Sequence, residues 1–497
     1  MYRRYKSGVE RVAAINDYLQ QTVIPSFINS LTKLEYSPLD GNSLTSLLHA
    51  HGINIRYLGY IVQYCIDNHI NSHLIDIGVI EMISRCSKYI IERYMRQPNV
   101  DGGLDGILAY VLSLLVTTAE SNTMTTHDPI ELTHHTLWNE IRSMLLSKYR
   151  FELSPEYRLT SHTSFILLRS LCQSTGVVLQ CRNYDFSSIQ PIASSHIIDI
   201  QHKLKIHHHK SQLIENMLQS ARSYLSTQQY DIALQCSTDA LNIIVQVYGA
   251  LHIYTANCHT LLASCVYQQQ QYERAVEYQQ NAVVITRRVS GVDSLDTLYA
   301  IQTLALYQHS ANQHELALQN MKYVYKIFVL LGGVHHPDTC TALLNIAQIL
   351  QDTGNTTQSC RMIELILQRS IHNLGTNHLH VALLYHKLAQ SQLMCSNYRA
   401  AVDSEKQCKL IYTSLLPPKH ERIHTSNIWL DYLTRLCVLA IKHQNKSGVM
   451  LSPRELNAAL SEKQAESDKS TYSNIVNAIT QASKQATKNK KNAEPAQ

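Results

Sequence analysis

The sequence predicts a mainly all-α protein: a helical N-terminal region with a small mixed α/β element, followed by an α-solenoid. Three observations predict it. Between about Gln212 and Gln444 the small residues Ala221, Ala263, Ala305, Ala347 and Ala389 stand in successive apolar runs, each 42 residues after the last. A companion series 12 residues further on reads Ala233, Ala275, Ala317, Ser359 and Ala401, with Tyr230, Tyr272, His314, Thr356 and Tyr398 three before each. Ahead of about Leu204 this period is absent, apolar residues keep helical spacing, and one strand-like run, Val177-Val-Leu179, follows Gly176.

Each 42-residue unit reads as two helices and a turn, because both alanine series lie inside runs of helical spacing such as Leu261, Leu262, Cys265 and Val266. Alanine on each helix lets the axes approach closely, and the nearby aromatic, where present, fills the corner between them. Gly249, Gly291, Gly333 and Gly375 close the second helices, where a left-handed C-cap is expected. Such a pair buries its apolar face only by stacking on its neighbours, hence a solenoid. The 12-residue offset, with Tyr three before the second small residue, resembles the tetratricopeptide repeat, usually about 34 residues long. The extra length falls in the inter-repeat turns, where His252, His336 and His378 recur for reasons of turn geometry and Thr339, after Pro337-Asp338, reads as the cap region of the next helix. The fourth repeat departs from the pattern at Thr356 and Ser359.

At 497 residues the chain has room for several domains, and 45% hydrophobic with 16% charged residues is a globular composition. Its net charge of +5 is concentrated at the ends, +3 in Met1 to Arg11 and +3 in Asn445 to Gln497, so the body offers no global attraction to a polyanion. Twelve cysteines without a CxxC pair or a zinc-ligand spacing read as reduced, buried thiols of a cytoplasmic protein. The N-terminus leads into no signal-peptide core, and the apolar run Ile107 to Ala119 is too short to span a bilayer and reads as a core helix.

Residues 1–136 read as helical. Pro25 is expected to break or kink the run Ile15 to Leu34, and Asn42 or Ser43 to cap a helix that Gly52 ends, after which Ile53, Ile55 and Leu58 enter the core. Residues 137–204 read as a small mixed segment of the same region, with helices over Leu137 to Tyr149 and Phe165 to Cys172. A basic connector, Gln201 to Lys210, leads to the repeats at 212–416, a capping helix at 417–444 and a mostly disordered polar tail at 445–497. One short helix is expected near Ser452 to Leu460.

The stretch Tyr36-Ser-Pro-Leu-Asp-Gly41, continued by Leu48-His-Ala-His-Gly-Ile-Asn-Ile-Arg-Tyr-Leu-Gly59, closely resembles the central region of the clustered-mitochondria (Clu) family, a region described by its likeness to a large subunit of eukaryotic initiation factor three. Further matches follow in order: Ile83 to Arg93, Leu137 to Arg142, Leu167 to Cys172, Gly176 to Leu179, Asn183 to Phe186, and then the long repeats. Kinesin light chains share only the repeats and would enter them from a heptad coiled coil, which is not found. The likeness runs from about Ile15 to Leu436 and is to the family's C-terminal part, since its ubiquitin-like domain and the domain that names it have no counterpart in these residues.

No phosphate loop, nucleophile elbow or His-Glu-x-x-His helix is found, and no catalytic residue, metal site or cofactor is assigned. Asp101 to Gly106 lacks calcium-loop spacing and reads as a plain turn, and His207 to His209 as solvated. In tetratricopeptide stacks the first helix of each pair lines a concave groove. Counting from its small residue places Arg222, Tyr267, Gln302, His309, Gln348, His386 and Gln390 there, a polar, weakly charged set suited to a peptide partner through amide and imidazole contacts. Arg85, Lys88, Arg93 and Arg96 form a helical stripe, the place to look for RNA phosphate contacts.

The resemblance implies a non-enzymatic cytoplasmic factor, associated with mRNAs for mitochondrial proteins and needed for normal mitochondrial distribution, with RNA bound directly or through the family's N-terminal domains. The alternative is a tetratricopeptide scaffold that docks a translation-initiation or ribosome-associated complex without direct RNA binding.

Overall fold

A computed structural model describes residues 14–32, 37–68, 72–96, 103–119, 132–201 and 211–447, together with Pro453, Glu455 and Leu456. Met1 to Arg11, Asp101, the connector from 202 to 210 with His207 to His209, and the tail from Lys463 lie outside the described residues. Pro453, Glu455 and Leu456 are helical, and the rest of the helix expected there also lies outside. Two compact units are present, residues 1–207 with 328–338, and residues 208–327 with 339–497.

The first unit is built on one long helix. Its helices are α1 (Ile24–Thr32), α2 (Gly41–Ala50), α3 (Leu58–Asp67), α4 (Ser72–Met95), α5 (Gly103–Val116), α6 (His134–Tyr149) and α7 (Ser161–Thr175). Helix α4 packs against α2, α3, α5, α6 and α7, with Met82, Ile83 and Cys86 fully buried at its centre. One hydrophobic core runs unbroken from Ile24 to Ile192 and takes in both the helical region and the mixed segment. Helix α5 is the apolar run read as a core helix, with Ile107 to Val116 buried apart from the half-buried Tyr110.

Three local expectations are corrected and a fourth, the strand at Val177–Leu179, gains a partner. Pro25 does not end its run, because a turn of π-helix at Leu19–Val23 precedes α1 and absorbs the hydrogen bond that proline cannot donate. The cap of α2 is Asp40: its Oδ1 accepts from the Ser43 N–H at 2.8 Å while the Ser43 hydroxyl accepts from the Asp40 N–H at 3.0 Å. The Gly-rich segment read as a turn is already helical from Gly103. The strand β1 (Val177–Leu179) has an unforeseen antiparallel partner, β2 (Ile197–Ile200), and Gly176 between α7 and β1 must be glycine. Its φ is +81° and a Cβ there would meet the Gln201 carbonyl.

The second unit carries the repeats as helix pairs α8 (Gln212–Ser226) and α9 (Tyr230–Tyr248), α10 (Ile253–Gln268) and α11 (Tyr272–Val289), α12 (Leu295–Ser310) and α13 (His314–Gly332), α14 (Pro337–Asp352) and α15 (Thr356–Leu374), α16 (Leu379–Met394) and α17 (Tyr398–Leu415), then α18 (Glu421–Ser447). The last turn of α13 and the loop after it, Phe328–Asp338, belong to the first unit. Both small series are buried throughout, including Ser359, whose hydroxyl has no hydrogen-bond partner where the other repeats carry alanine.

The inter-repeat glycines do have positive φ, yet Gly249 and Gly375 have ψ of 174° and 170°, an extended conformation open to glycine alone rather than the left-handed helical cap expected. The left-handed position falls instead inside each pair, on Gln228, Gln270, Asn312, Gly354 and Ser396, again 42 apart.

Histidine recurs in the loops because it caps. Nδ1 of His252, His336, His378 and His420 accepts the N–H two residues on, at 3.1–3.2 Å, and Ser294 takes the same place before α12. The cap of α14 is thus His336 rather than Thr339, which lies buried in the first turn. Replacing His378 with alanine is expected to cost about 1 kcal/mol and with asparagine only a few tenths, measured as the shift in the urea midpoint; equal losses for both would contradict the capping role.

Candidate functional site

On the repeats, five of the seven polar residues singled out on the first helices fall into three groups. Tyr267 stacks on Tyr307 with centroids 4.6 Å apart and bonds Ser310 at 3.0 Å. His309 bonds Asp352 through Nε2 at 2.9 Å and His314 through Nδ1 at 3.0 Å, and Gln348 reaches the same Asp352 at 3.2 Å. With Nε2–H donated to Asp352, Nδ1 of a neutral His309 accepts from His314. Burial holds His314 below the usual imidazole range, as does His309, with Asp352 opposing.

These links join residues 43 apart, on first helices of neighbouring repeats. A residue four beyond the small position of one repeat meets the residue five beyond that of the next, a rule the alanine register contains but does not announce. Arg222 is exposed, Gln302 is half-buried, and neither is brought into these clusters.

His386 and Gln390 enter a third network. Nδ1 of His386 donates to Glu405 at 2.9 Å, its Nε2 takes the Gln390 amide at 3.0 Å, and its ring meets Trp429 edge-on. Glu405 is fully buried and receives its second bond from the Ser426 hydroxyl at 2.6 Å. Sequence reasoning missed Glu405, the one charged residue among the buried positions of α17. His386, Glu405 and Cys408 hold ligand-type atoms within 4.8 Å of one another. Both Glu405 oxygens and both imidazole nitrogens already have protein partners, and burial pushes the Cys408 thiol up to about 12, away from the thiolate a metal needs.

The basic stripe of α4 is largely engaged. Arg85 bonds Glu81 at 2.6 Å, Arg93 is bidentate to Glu140 at 2.6 and 2.7 Å, Arg96 pairs with Glu92, and the Lys88 ammonium donates to the Ser174 carbonyl. Beside them Tyr89 is 64% exposed, with the Lys148 ammonium 3.9 Å above its ring.

A deeper site lies within the first unit: a cavity of about 410 Å³ between the start of α2, the faces of α4 and α7, and the segment 328–338. Its apolar wall includes Ile77, Ile80, Ile166 and Val329, and its polar side Asp40, Asp76, Glu81 and Arg169. Asp40 faces Arg169 at 3.7 Å and Glu81 pairs with Arg85, its carboxyl lying where a Cβ on Gly41 would be.

His73 and His336 stand together behind this cavity, rings 5.1 Å apart and edge to face. His336 Nε2 donates to the Pro38 carbonyl at 3.0 Å, and His73 Nε2 meets the Ser37 hydroxyl at 3.0 Å. Burial, then the neighbouring His336, pushes His73 down to about 3, and burial also lowers His336. The cavity was invisible in the sequence because the segment closing it, 329–335, is far along the chain from its other walls at 39–42, 73–81 and 162–173.

Residues 35–186 match the family of translation initiation factor eIF3 subunit 135, and residues 213–282, 259–328 and 338–413 match the tetratricopeptide repeat. The clustered mitochondria protein homolog of Dictyostelium discoideum is 28% identical over 276 residues, 53% of this chain and 20% of that protein. The clustered mitochondria protein of Arabidopsis thaliana is 29% identical over 308 residues, 52% of this chain and 21% of that protein. The homolog of Aedes aegypti is 28% identical over 484 residues, 86% of this chain and 33% of that protein. The chain thus spans a fifth to a third of the length of these relatives. No helix among the described residues is long and apolar enough to cross a membrane. With an initiation-factor-like region followed by long tetratricopeptide repeats, the chain is similar to clustered mitochondria proteins, over 86% of its length in the Aedes aegypti homolog.

Proposed function

We propose that this chain is the partner-docking part of a clustered-mitochondria-type factor: non-enzymatic, cytoplasmic, and serving the distribution of mitochondria by taking peptide segments of protein partners along its repeats. The observation that supports it is the set of stacked helix pairs whose first helices carry polar, weakly charged groups, with Arg222 and Gln348 exposed and Gln302 half-buried. Tyr267, His309 and His386 serve in this reading chiefly to hold that surface in shape.

A second reading, association with mRNAs for mitochondrial proteins, is favoured by Tyr89, an exposed aromatic ring among Arg93, Arg96 and Lys148, the combination that single-stranded RNA stacks upon. The carboxylate partners of Arg85, Arg93 and Arg96 weigh against strong phosphate binding by the stripe alone.

One experiment tests both: crosslinking of the chain in cells, with attached proteins and RNA recovered in parallel from the wild type and from the Arg222→Ala, Gln302→Ala, Gln348→Ala triple variant. Partners lost from the triple variant are the expected result, and an unchanged partner set would refute docking on these residues. Enrichment of messages for mitochondrial proteins would support the RNA reading. Background RNA with partners retained by the wild type would leave a scaffold that docks a translation-initiation or ribosome-associated complex.

A further inference from the structure

The turn between α11 and α12 departs from the repeat pattern. Arg287, Arg288 and Ser290 stand at the end of α11, where the positions 42 residues before hold Val245, Gln246 and Tyr248 and those 42 after hold Val329, Leu330 and Gly332. Ser294 then caps α12 where the neighbouring turns use histidine. Helix packing therefore does not call for an arginine pair here. Cations in a last turn do offset the helix dipole, yet α9 and α17 carry none there and α15 only His372. Both arginines are exposed, and neither makes an ion pair or hydrogen bond among the described residues, unlike Arg85, Arg93 and Arg96 of α4. Two arginines three and two residues ahead of a hydroxyl are the charge pattern that basic-directed serine kinases read, each guanidinium taking a carboxylate of the kinase. Here the hydroxyl is that of Ser290.

The local structure lets this segment reach a kinase cleft, which takes its substrate extended. Residues 287–290 close the helix: the Ser290 N–H bonds the Thr286 carbonyl at 2.8 Å, and Gly291 follows with a φ of +98°. Arg287, Arg288 and Val289 are exposed and Ser290 is half-buried, so unwinding that turn takes no buried side chain out of the core, which stops at Thr286. Helix ends open locally at little cost. The hydroxyl itself is loosely held, with Asp296 Oδ2 3.4 Å away.

We propose that Ser290 is a phosphorylation site for a serine kinase of the basic-directed class, with Arg287 and Arg288 as the residues that recruit it. Ser290 Oγ attacks the γ-phosphorus of the ATP held by the kinase and the bond from that phosphorus to the bridging oxygen breaks. ADP leaves, and the hydroxyl proton passes to the kinase's carboxylate base. The product carries a charge of about −1.5 to −2 beside the Asp296 carboxylate and at a helix C-terminus, both unfavourable places for it. Phosphorylation thus loosens the turn joining the second and third repeats, which the Ser294 and Thr297 hydroxyls otherwise hold by donating to the Gly291 carbonyl at 3.1 and 2.7 Å. The site is separate from the docking residues of the first helices.

The test incubates the full chain with ATP and the catalytic subunit of cyclic-AMP-dependent protein kinase, and maps the product by mass spectrometry. Phosphate on Ser290 is expected, and Ser290→Ala should remove it. The double variant Arg287→Ala, Arg288→Ala should slow its incorporation at least about tenfold, the effect of one lost charge-assisted hydrogen bond. Both arginines being exposed, that variant should melt at the wild-type temperature. Amide exchange at residues 290–297 should be faster in the phosphorylated chain than in the unmodified one. A Ser290 left unmodified in the folded chain while a synthetic 283–296 peptide is phosphorylated, no phosphate on either, or incorporation indifferent to the arginines would overturn the site. Unchanged exchange would overturn its effect on the turn.

Discussion

Replacing Gly59 with alanine is expected to destabilise the first unit by about 3 kcal/mol, near the top of the range for inserting atoms into a packed core. The new Cβ would meet the carbonyl oxygen of Tyr149 and lie 2.9 Å from the Phe151 Cβ. Neither neighbour is the tip of a flexible side chain. Both belong to the chain leaving α6, where Arg150 already holds a left-handed φ of 54°. Helix α3 therefore has to move as a body, carrying the buried Leu58, Ile61 and Val62 with it. The chain's two tryptophans fall one in each unit, so fluorescence of Trp138 in a Trp429→Phe background follows the first unit during urea unfolding. Gly106→Ala in α5, where the added Cβ meets nothing within 4 Å, is the control and should be neutral or stabilising. Comparable losses for the two variants would refute the close-approach argument.

His386→Ala is expected to cost the repeat unit about 3 kcal/mol, because removing the imidazole donor leaves a fully buried carboxyl group one hydrogen bond short. Glu405 is fully buried, and without His386 it keeps only the Ser426 hydroxyl. The double variant His386→Ala, Glu405→Met should recover most of the loss, since a well-packed apolar residue replaces the carboxylate. Trp429, whose ring lies 5.4 Å from that of His386, reports the transition directly. A single-variant loss below about 1 kcal/mol, or no recovery in the double variant, would show the pair to be unimportant.

The repeat register was legible because close helix packing demands a small residue at a fixed place in each helix, and Ala221 to Ala389 and Ala233 to Ala401 mark those places without side-chain geometry. The cap of α2 was misplaced because Asp40, Asn42 and Ser43 are all good capping residues and only backbone conformation separates them. The left-handed residues escaped because Gln228, Gln270, Asn312 and Ser396 carry no sequence mark, whereas the glycines that drew attention serve an extended turn. Of the candidate groove, counting supplied a set of positions on the first helices, but not Glu405 and Asp352, which bind His386 and His309 into the fold. A charged residue on an amphipathic helix looks solvated until its neighbours are known. The strand β2 was missed because four residues, Ile197 to Ile200, have too short a pattern to separate from loop.

The four histidine caps look interchangeable in sequence, yet their freedom to vary is unequal. At Ser294 a hydroxyl already serves in the same register, so a single acceptor suffices there. His336 is completely buried and uses both edges of its ring, one to accept from the Asp338 N–H and the other to donate to the Pro38 carbonyl nearly 300 residues away in the chain. A serine at 336 would keep the first bond and strand the second carbonyl inside the core. Substitution tolerance therefore does not follow the 42-residue period: of positions that descend from one repeated turn, 294 accepts any short acceptor, and 336 accepts only a ring with an acceptor and a donor on opposite sides.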